Sequence, residues 1–444
     1  MGHAMTRLWF SSALLPTGWA EGVRLTVVDG VIASVEAGVT PDAADERHGA
    51  AVPGLPNVHS HTFQRAMAGL AERRGGDAGD NFWTWREQMY RFVDRLGPDE
   101  VEAVAALAFA EMLETGFTRV GEFHYLHHDP AGNRYANPAE LAVRIVAAAT
   151  ATGIHLTLLP VFYAHANFGG LPPTPGQRRF VTRVDEFARL VEGSRHPGVV
   201  VGVAPHSLRA VTPDELRAVV QLGSPIHTHV SEQTKEVDDC MAWCGRRPVE
   251  WLLDQQLLDD RWCLIHATHT TAAELAGIAA AGSVAGLCPI TEANLGDGVF
   301  DTNVFLQLGG RFGVGTDSNV LIDAAGELRQ LEYAQRLFTR RRNVLATEQT
   351  PSVGRTLFDA VLRGGSQALG VSGAGLAVGQ PADVVAFTPE VGGDGLLDAW
   401  VFASRVAPIE SVWVAGRRVV ANGRHTDRDT IERRYHEALA RCVG

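Results

Sequence analysis

The sequence predicts an α/β protein: a closed (β/α)8 barrel with a small β-sandwich domain made from both chain ends. Three observations predict it. From about residue 52 to about 320, short apolar segments alternate with longer amphipathic ones. Both ends of the chain read instead as strands and tight turns. Histidines and a carboxylate recur where the apolar segments end, which is where barrel enzymes carry their reacting groups.

Taken in order, residues 1–51 supply the first part of the sandwich domain. There the strand 24–28 runs into Asp29-Gly30, a strong hairpin signal. Met1 to Ala4 are set aside, with Met5 as the expected native start. Residues 52–374 form the catalytic barrel, with strands expected over 52–58, 118–122, 155–161, 199–204, 226–230, 262–266, 283–288 and 312–316. Helical patterns lie between most of them, at 98–115, 138–152 and 213–222, with a last pair at 325–340 and 352–369. Residues 375–444 return to strands at 381–387 and 411–417, completing the sandwich domain before a terminal helix.

A chain of 444 residues suits one large barrel plus an accessory domain. Its 45% apolar and 20% charged residues are ordinary for a globular enzyme. The net charge of −12 argues against a nucleic-acid or anionic-membrane partner, and an anionic substrate would need local arginines. No stretch has the apolar length of a membrane span, and no signal peptide is visible, so a cytoplasmic location is expected. The five cysteines are odd in number and lack CxxC spacing, as free thiols in a reducing compartment would. Cys240 and Cys244 share a helix face, but two thiols do not make a zinc site.

The run 53–61 ends in His59 and His61, which leave a strand on one face and make half of a metal site. Alone, this pair fits structural histidines as well. The fifth strand ends in His229 with Glu232 beyond it, the sixth in His266, and the eighth delivers Asp317. Three histidines and a carboxylate at one rim are donors for Zn²⁺ or Fe²⁺. His227 shares a face with His229 but lies deeper, and His266 is preferred to His269 by its place at the strand end. His124, His127 and His128 read as loop residues, and His155 begins a strand at the wrong end. Glu232 is placed to move a proton between water and a leaving group, although a helix start also attracts a carboxylate.

His59-x-His61, His229, His266 and Asp317 together resemble the amidohydrolase superfamily, as does the 379–383 run Gly-Gln-Pro-Ala-Asp. Binuclear members carry a carboxylated lysine or a glutamate at the end of strand four, where this chain has 205–209, Pro-His-Ser-Leu-Arg. With Glu232, that resembles the mononuclear deaminase branch. The stretches 61–66, 82–86, 121–125 and 288–298 are similar to the formimidoylglutamate deiminase family of histidine degradation.

The resemblance implies hydrolysis of N-formimidoyl-L-glutamate to N-formyl-L-glutamate and ammonia. It implies one divalent ion per chain, zinc first and iron second, on His59, His61, His229 and Asp317. Catalysis would fall to Glu232, His266 and Asp317. Arg209 and Arg86 are suited to the two carboxylates, because a guanidinium fork matches a carboxylate. Gln64, Tyr125 and His206 are implied as polar pocket groups. A homodimer is the common state of such relatives. Other readings are a deaminase of guanine, a pterin or a thioadenosine-like nucleoside, and a chlorohydrolase- or amidase-like enzyme. A non-catalytic barrel would be expected to lose ligands that this chain keeps.

Overall fold

Alternating apolar residues at the chain start build an antiparallel meander of β1 (Met5–Leu15), β2 (Gly18–Val28) and β3 (Val31–Glu36). Asp29 and Gly30 join the last two with positive φ at both positions, the geometry of the tight hairpin turn. β4 (Glu46–Pro53) then runs parallel to β1. At Gly54 the chain leaves this sheet. Its N–H donates to the Asp383 carbonyl (3.1 Å), and the Leu55 N–H already donates to Gly116 beneath the barrel (3.0 Å). A Cβ at Gly54 would lie 2.2 Å from the Thr118 side chain, so the crossing needs glycine.

The computed structural model describes residues 5–72, 81–371, 375–388, 391–403, 405 and 407–443. Met1 to Ala4, and the 372–374 end of the expected barrel segment, lie outside the described residues. The barrel strands are β5 (Leu55–Ser60), β6 (Phe117–His124), β7 (His155–Phe162), β8 (Val200–Val201), β9 (Ala204–Pro205), β10 (Ile226–Val230), β11 (Trp262–His266), β12 (Val284–Leu287) and β13 (Arg311–Val314). All are parallel, in the order β10-β11-β12-β13-β5-β6-β7-β8, with β9 also on β7. Parallel bridges from Val203 to Ile226 and from Ser207 to His229 close the ring.

Two expected barrel strands are corrected. The expected strand 52–58 straddles both sheets: Val52 and Pro53 end β4, and the barrel strand β5 begins at Leu55, after the break at Gly54. Residues 199–204 do not form a continuous strand, because the chain pairs with β7 in two short pieces. At Gly202 a Cβ would lie 2.4 Å from the Pro225 carbonyl, which accepts from the Val203 N–H at 3.0 Å, so the next loop's backbone packs where only glycine fits. Pro205 also offers no N–H to a ladder.

Val58, Cys263, Ile265 and Val284 fill the barrel interior as a core of their own. Helices Pro98–Glu114, Glu140–Thr152, Ala324–Thr339 and Val353–Ala368 bury their apolar faces outside it. The chain end adds β14 (Val384–Phe387), β15 (Ile409–Val414), β16 (Arg417–Ala421) and β17 (Arg424–His425). β14 lies antiparallel to β4, so both chain ends share one eight-stranded sheet, β17-β16-β15-β14-β4-β1-β2-β3. Phe10, Val23, Leu25, Val384 and Trp413 form its separate core. The terminal helix Arg428–Val443 returns to the barrel, where Arg428 pairs with Glu111 (3.1 Å) and Glu114 (3.0 Å). Among the described residues no helix is long and apolar enough to cross a membrane.

Candidate active site

Period-two alternation puts His59 and His61 on one face of β5, with their Nε2 atoms 3.2 Å apart at its C-terminal end. His229 at the end of β10 brings its Nε2 to 3.1 Å from that of His59. Asp317, beyond β13, places Oδ1 3.3 Å from the Nε2 of both His59 and His61. The four ligand atoms all lie within 4.8 Å of one another, and all four residues are buried. His61 Nδ1 donates to the Phe123 carbonyl (2.9 Å) and His229 Nδ1 to the His206 carbonyl (2.9 Å). Those bonds turn the Nε2 lone pairs inward. Burial pushes all three imidazoles below their ordinary pKa, toward the neutral form that binds metals. Acceptor atoms packed this closely repel unless a cation lies among them, and three nitrogens with one oxygen suit zinc or iron.

The backbone around the site is strained. Ser231 (φ 51°), His266 (φ 66°), Asp317 (φ 42°) and Asn319 (φ 54°) all occupy the left-handed region. A buried amide network holds the last two. Asn57 Nδ2 donates to Thr316 Oγ1 (2.8 Å), which donates to Asn319 Oδ1 (2.6 Å). Asn319 Nδ2 donates in turn to the Asp317 carbonyl and to Ser60 Oγ, both at 3.1 Å. The network therefore joins the Asp317 loop to β5.

His266 at the end of β11 stands beside the ligand cluster, its Nε2 3.6 Å from Glu232 Oε1 and 3.8 Å from Asp317 Oδ2. Its Nδ1 lies 3.2 Å from Glu292 Oε1. Burial pushes Glu232 up to about 7, against the pull of His266 and Arg209. Burial opposes charge on His266 too, yet Glu232, Glu292 and Asp317 together carry it to about 10.

All the residues given a metal, catalytic or substrate role in the sequence, except the fully buried His59, line one pocket of about 560 Å³. Gln64 Nε2 donates to the Tyr125 hydroxyl (3.0 Å), and His206 stands beside His229. Arg86 comes from the helix Phe82–Val93, and Arg209 from the loop after β9. The Trp83 indole backs both guanidiniums, at 4.5 Å from Arg86 and 5.9 Å from Arg209. Their Nε atoms are buried without hydrogen-bond partners, and neither arginine makes an ion pair among the described residues. Arg209 is buried and Arg86 half-buried; a buried cation without a counter-ion is costly, and an anionic ligand would relieve that cost.

Four other histidines are engaged elsewhere, while the buried His124 Nε2 has no hydrogen-bond partner among the described residues. His227 donates to the Ala368 carbonyl (2.7 Å), His127 to Val161 (2.8 Å) and His128 to Val181 (2.8 Å). His155 meets Asp383 (3.1 Å) at the opposite end of the barrel. From the sequence alone, Asn57, Asn319, Glu292 and Trp83 receive no role, although all but Asn319 lie in stretches singled out there. Asn57 lies two residues before His59, on the same strand face, and that spacing was the signal available.

Residues 50–419 match the model of the Amidohydrolase family. The chain belongs to that family. Residues 5–49 of this amidohydrolase match a second model, "Formimidoylglutamate deiminase HutF, N-terminal domain". The amidohydrolase is 49% identical over 453 residues to the formimidoylglutamate deiminase of Pseudomonas aeruginosa, covering 99% of this chain and 100% of that one. Identity to the 8-oxoguanine deaminase of the same species is 28%, over 86% of each chain. A crystal structure titled as an amidohydrolase from Brucella melitensis has a TM-score of 0.96 and 54% identity, covering 99% of this chain and 100% of that one. Full-length similarity at this level places the amidohydrolase in the formimidoylglutamate deiminase branch of a metal-dependent hydrolase family.

Proposed function

We propose that this amidohydrolase hydrolyses N-formimidoyl-L-glutamate to N-formyl-L-glutamate and ammonia, a step of histidine degradation. The observation that carries the reading is one pocket bringing an inward-facing His₃Asp cluster together with two arginines, Arg86 half-buried and Arg209 buried, whose Nε atoms are buried and unpaired. A diacid with a small amidine head complements both halves.

His59, His61, His229 and Asp317 would hold one divalent ion, zinc first and iron second, the donor set itself suiting both. When bound, such an ion supplies Lewis acidity that lowers the pKa of a water from ~15.7 toward ~7. Arg86 and Arg209 bind the two carboxylates, and Gln64, Tyr125 and His206 make the polar contacts around the reacting head. Glu232 accepts the water proton as the C–O bond forms at the formimidoyl carbon. His266 Nε2 stands beside the tetrahedral centre, and Asp317 takes part in moving the second proton. Glu232 then protonates the departing nitrogen, the C–N bond breaks, and ammonia leaves.

The chain is read as a barrel over 52–374 beside a β-domain of 1–51 and 375–444. A cytoplasmic location fits its five free cysteines. A homodimer fits the exposed Tyr333, Leu337 and Phe338 on one helix, and sedimentation would test it. The function is tested by incubating metal-analysed protein with N-formimidoyl-L-glutamate, and with guanine in parallel, while measuring ammonia. Release from the diacid with about one metal per chain is expected. Activity on guanine alone would overturn the substrate assignment.

A further inference from the structure

Glu292 lies in the first turn of the helix Pro289–Leu295 and is not on the pocket lining. It is buried, at 6% exposure, against the far side of His266. Its Oε1 accepts from the Cys288 N–H at 2.8 Å and lies 3.2 Å from His266 Nδ1. An ionised carboxylate only accepts, so the imidazole must present an N–H on that side. Nε2 then becomes the atom that faces Glu232 at 3.6 Å and Asp317 at 3.8 Å. His266 and Ala267 both have positive φ (66° and 47°). The buried ring stacks on that of His229 at 5.6 Å, and the Glu292 contact is the one that distinguishes its two nitrogens.

We propose that Glu292 is the positioning residue for His266. By holding Nδ1–H it fixes the plane of the ring and assigns every exchange with the reacting centre to Nε2. The inference rests on the role given to His266 above. It adds the group that makes the role geometrically possible, as buried partners do for other catalytic and metal-bound imidazoles. A purely local role, capping the Cys288 N–H, would leave the His266 contact without consequence.

The test uses the metal-loaded full chain with Glu292→Ala, Glu292→Gln, His266→Ala and the Glu292→Ala/His266→Ala double variant. Glu292→Ala is expected to lower kcat by about 10–100-fold, with KM and metal content little changed. Glu292→Gln keeps an acceptor oxygen and is expected to recover most of that loss. In the His266→Ala background, Glu292→Ala should add no further loss, since a residue acting through another has nothing left to act on.

A readout independent of turnover is the downfield imidazole N–H proton resonance of His266. It is expected in the parent protein and absent from both Glu292→Ala and His266→Ala. Persistence of that resonance in Glu292→Ala would overturn the proposal, as would an equal kcat loss in both backgrounds. If Glu292→Ala fails to fold, Glu292→Gln carries the test: an unmoved resonance overturns the proposal and an upfield shift supports it. Failure of the parent protein to release ammonia from the diacid would sink the substrate assignment alone, because the resonance still decides whether Glu292 holds His266.

Discussion

In the proposed mechanism Glu232 and Arg209 answer two different demands on the site, proton transfer and recognition of charge. Glu232→Gln should keep the fold and metal content while lowering kcat by a factor on the order of 10² or more. Unchanged turnover in a metal-replete variant would remove Glu232 from the chemistry. Arg209→Met should lower kcat/KM for the diacid by about 10²-fold, because a carboxylate would enter the pocket unpaired, again without loss of metal. A small change would mean that the charge is held elsewhere. Glu122 offers a test of stability. Burial pushes its carboxyl from an ordinary 4.5 up to about 7, against two bonds from Thr62. A group that binds its proton more tightly when folded stabilises most below the unfolded value, and that contribution is lost as pH rises through about 7. Glu122→Gln should therefore flatten the fall in Tm between about pH 5 and about pH 8, as thermal melts at matched salt would show. Residues at strand ends, such as His59 and Asp317, were legible because one rule places them all at one rim. Glu292 was not, because its contact with His266 joins positions 26 apart whose meeting depends on how two loops turn.

Elements were legible in proportion to how local their signals were. The hairpin at Asp29-Gly30 needs only two residues with positive φ, and the long amphipathic helices need only their own periodicity. The interrupted fourth barrel strand was hidden because its pairing depends on a partner more than twenty residues away: the Pro225 carbonyl accepts from Val203 and leaves room only for glycine at 202. The Asn57–Thr316–Asn319 network escaped for a similar reason, since it spans the closure between β5 and the loop after β13. It is expected to matter for metal retention. Asn319→Ala removes the bonds to the Asp317 carbonyl and Ser60, and should weaken metal affinity by about 10–100-fold in a chelator competition. Affinity equal to that of the parent would show that the Asp317 loop holds its shape unaided.

At the scale of the whole molecule, the two sheets divide the work: the barrel carries the pocket, and the sheet of chain ends carries none of its lining. A metal that binds only the folded barrel should raise Tm with the logarithm of its free concentration above Kd. Chelation should lower Tm, one equivalent of zinc should restore it, and His61→Ala should abolish the response. The seam between β4 and β14 has a different consequence, which concerns how the protein is made. A ribosome releases β4 early and β14 only after the entire barrel has been synthesised. Throughout that interval the nascent chain displays an open row of amides and carbonyls, the kind of edge that recruits neighbouring strands. Successful production thus depends on keeping that edge quiet until translation is nearly finished.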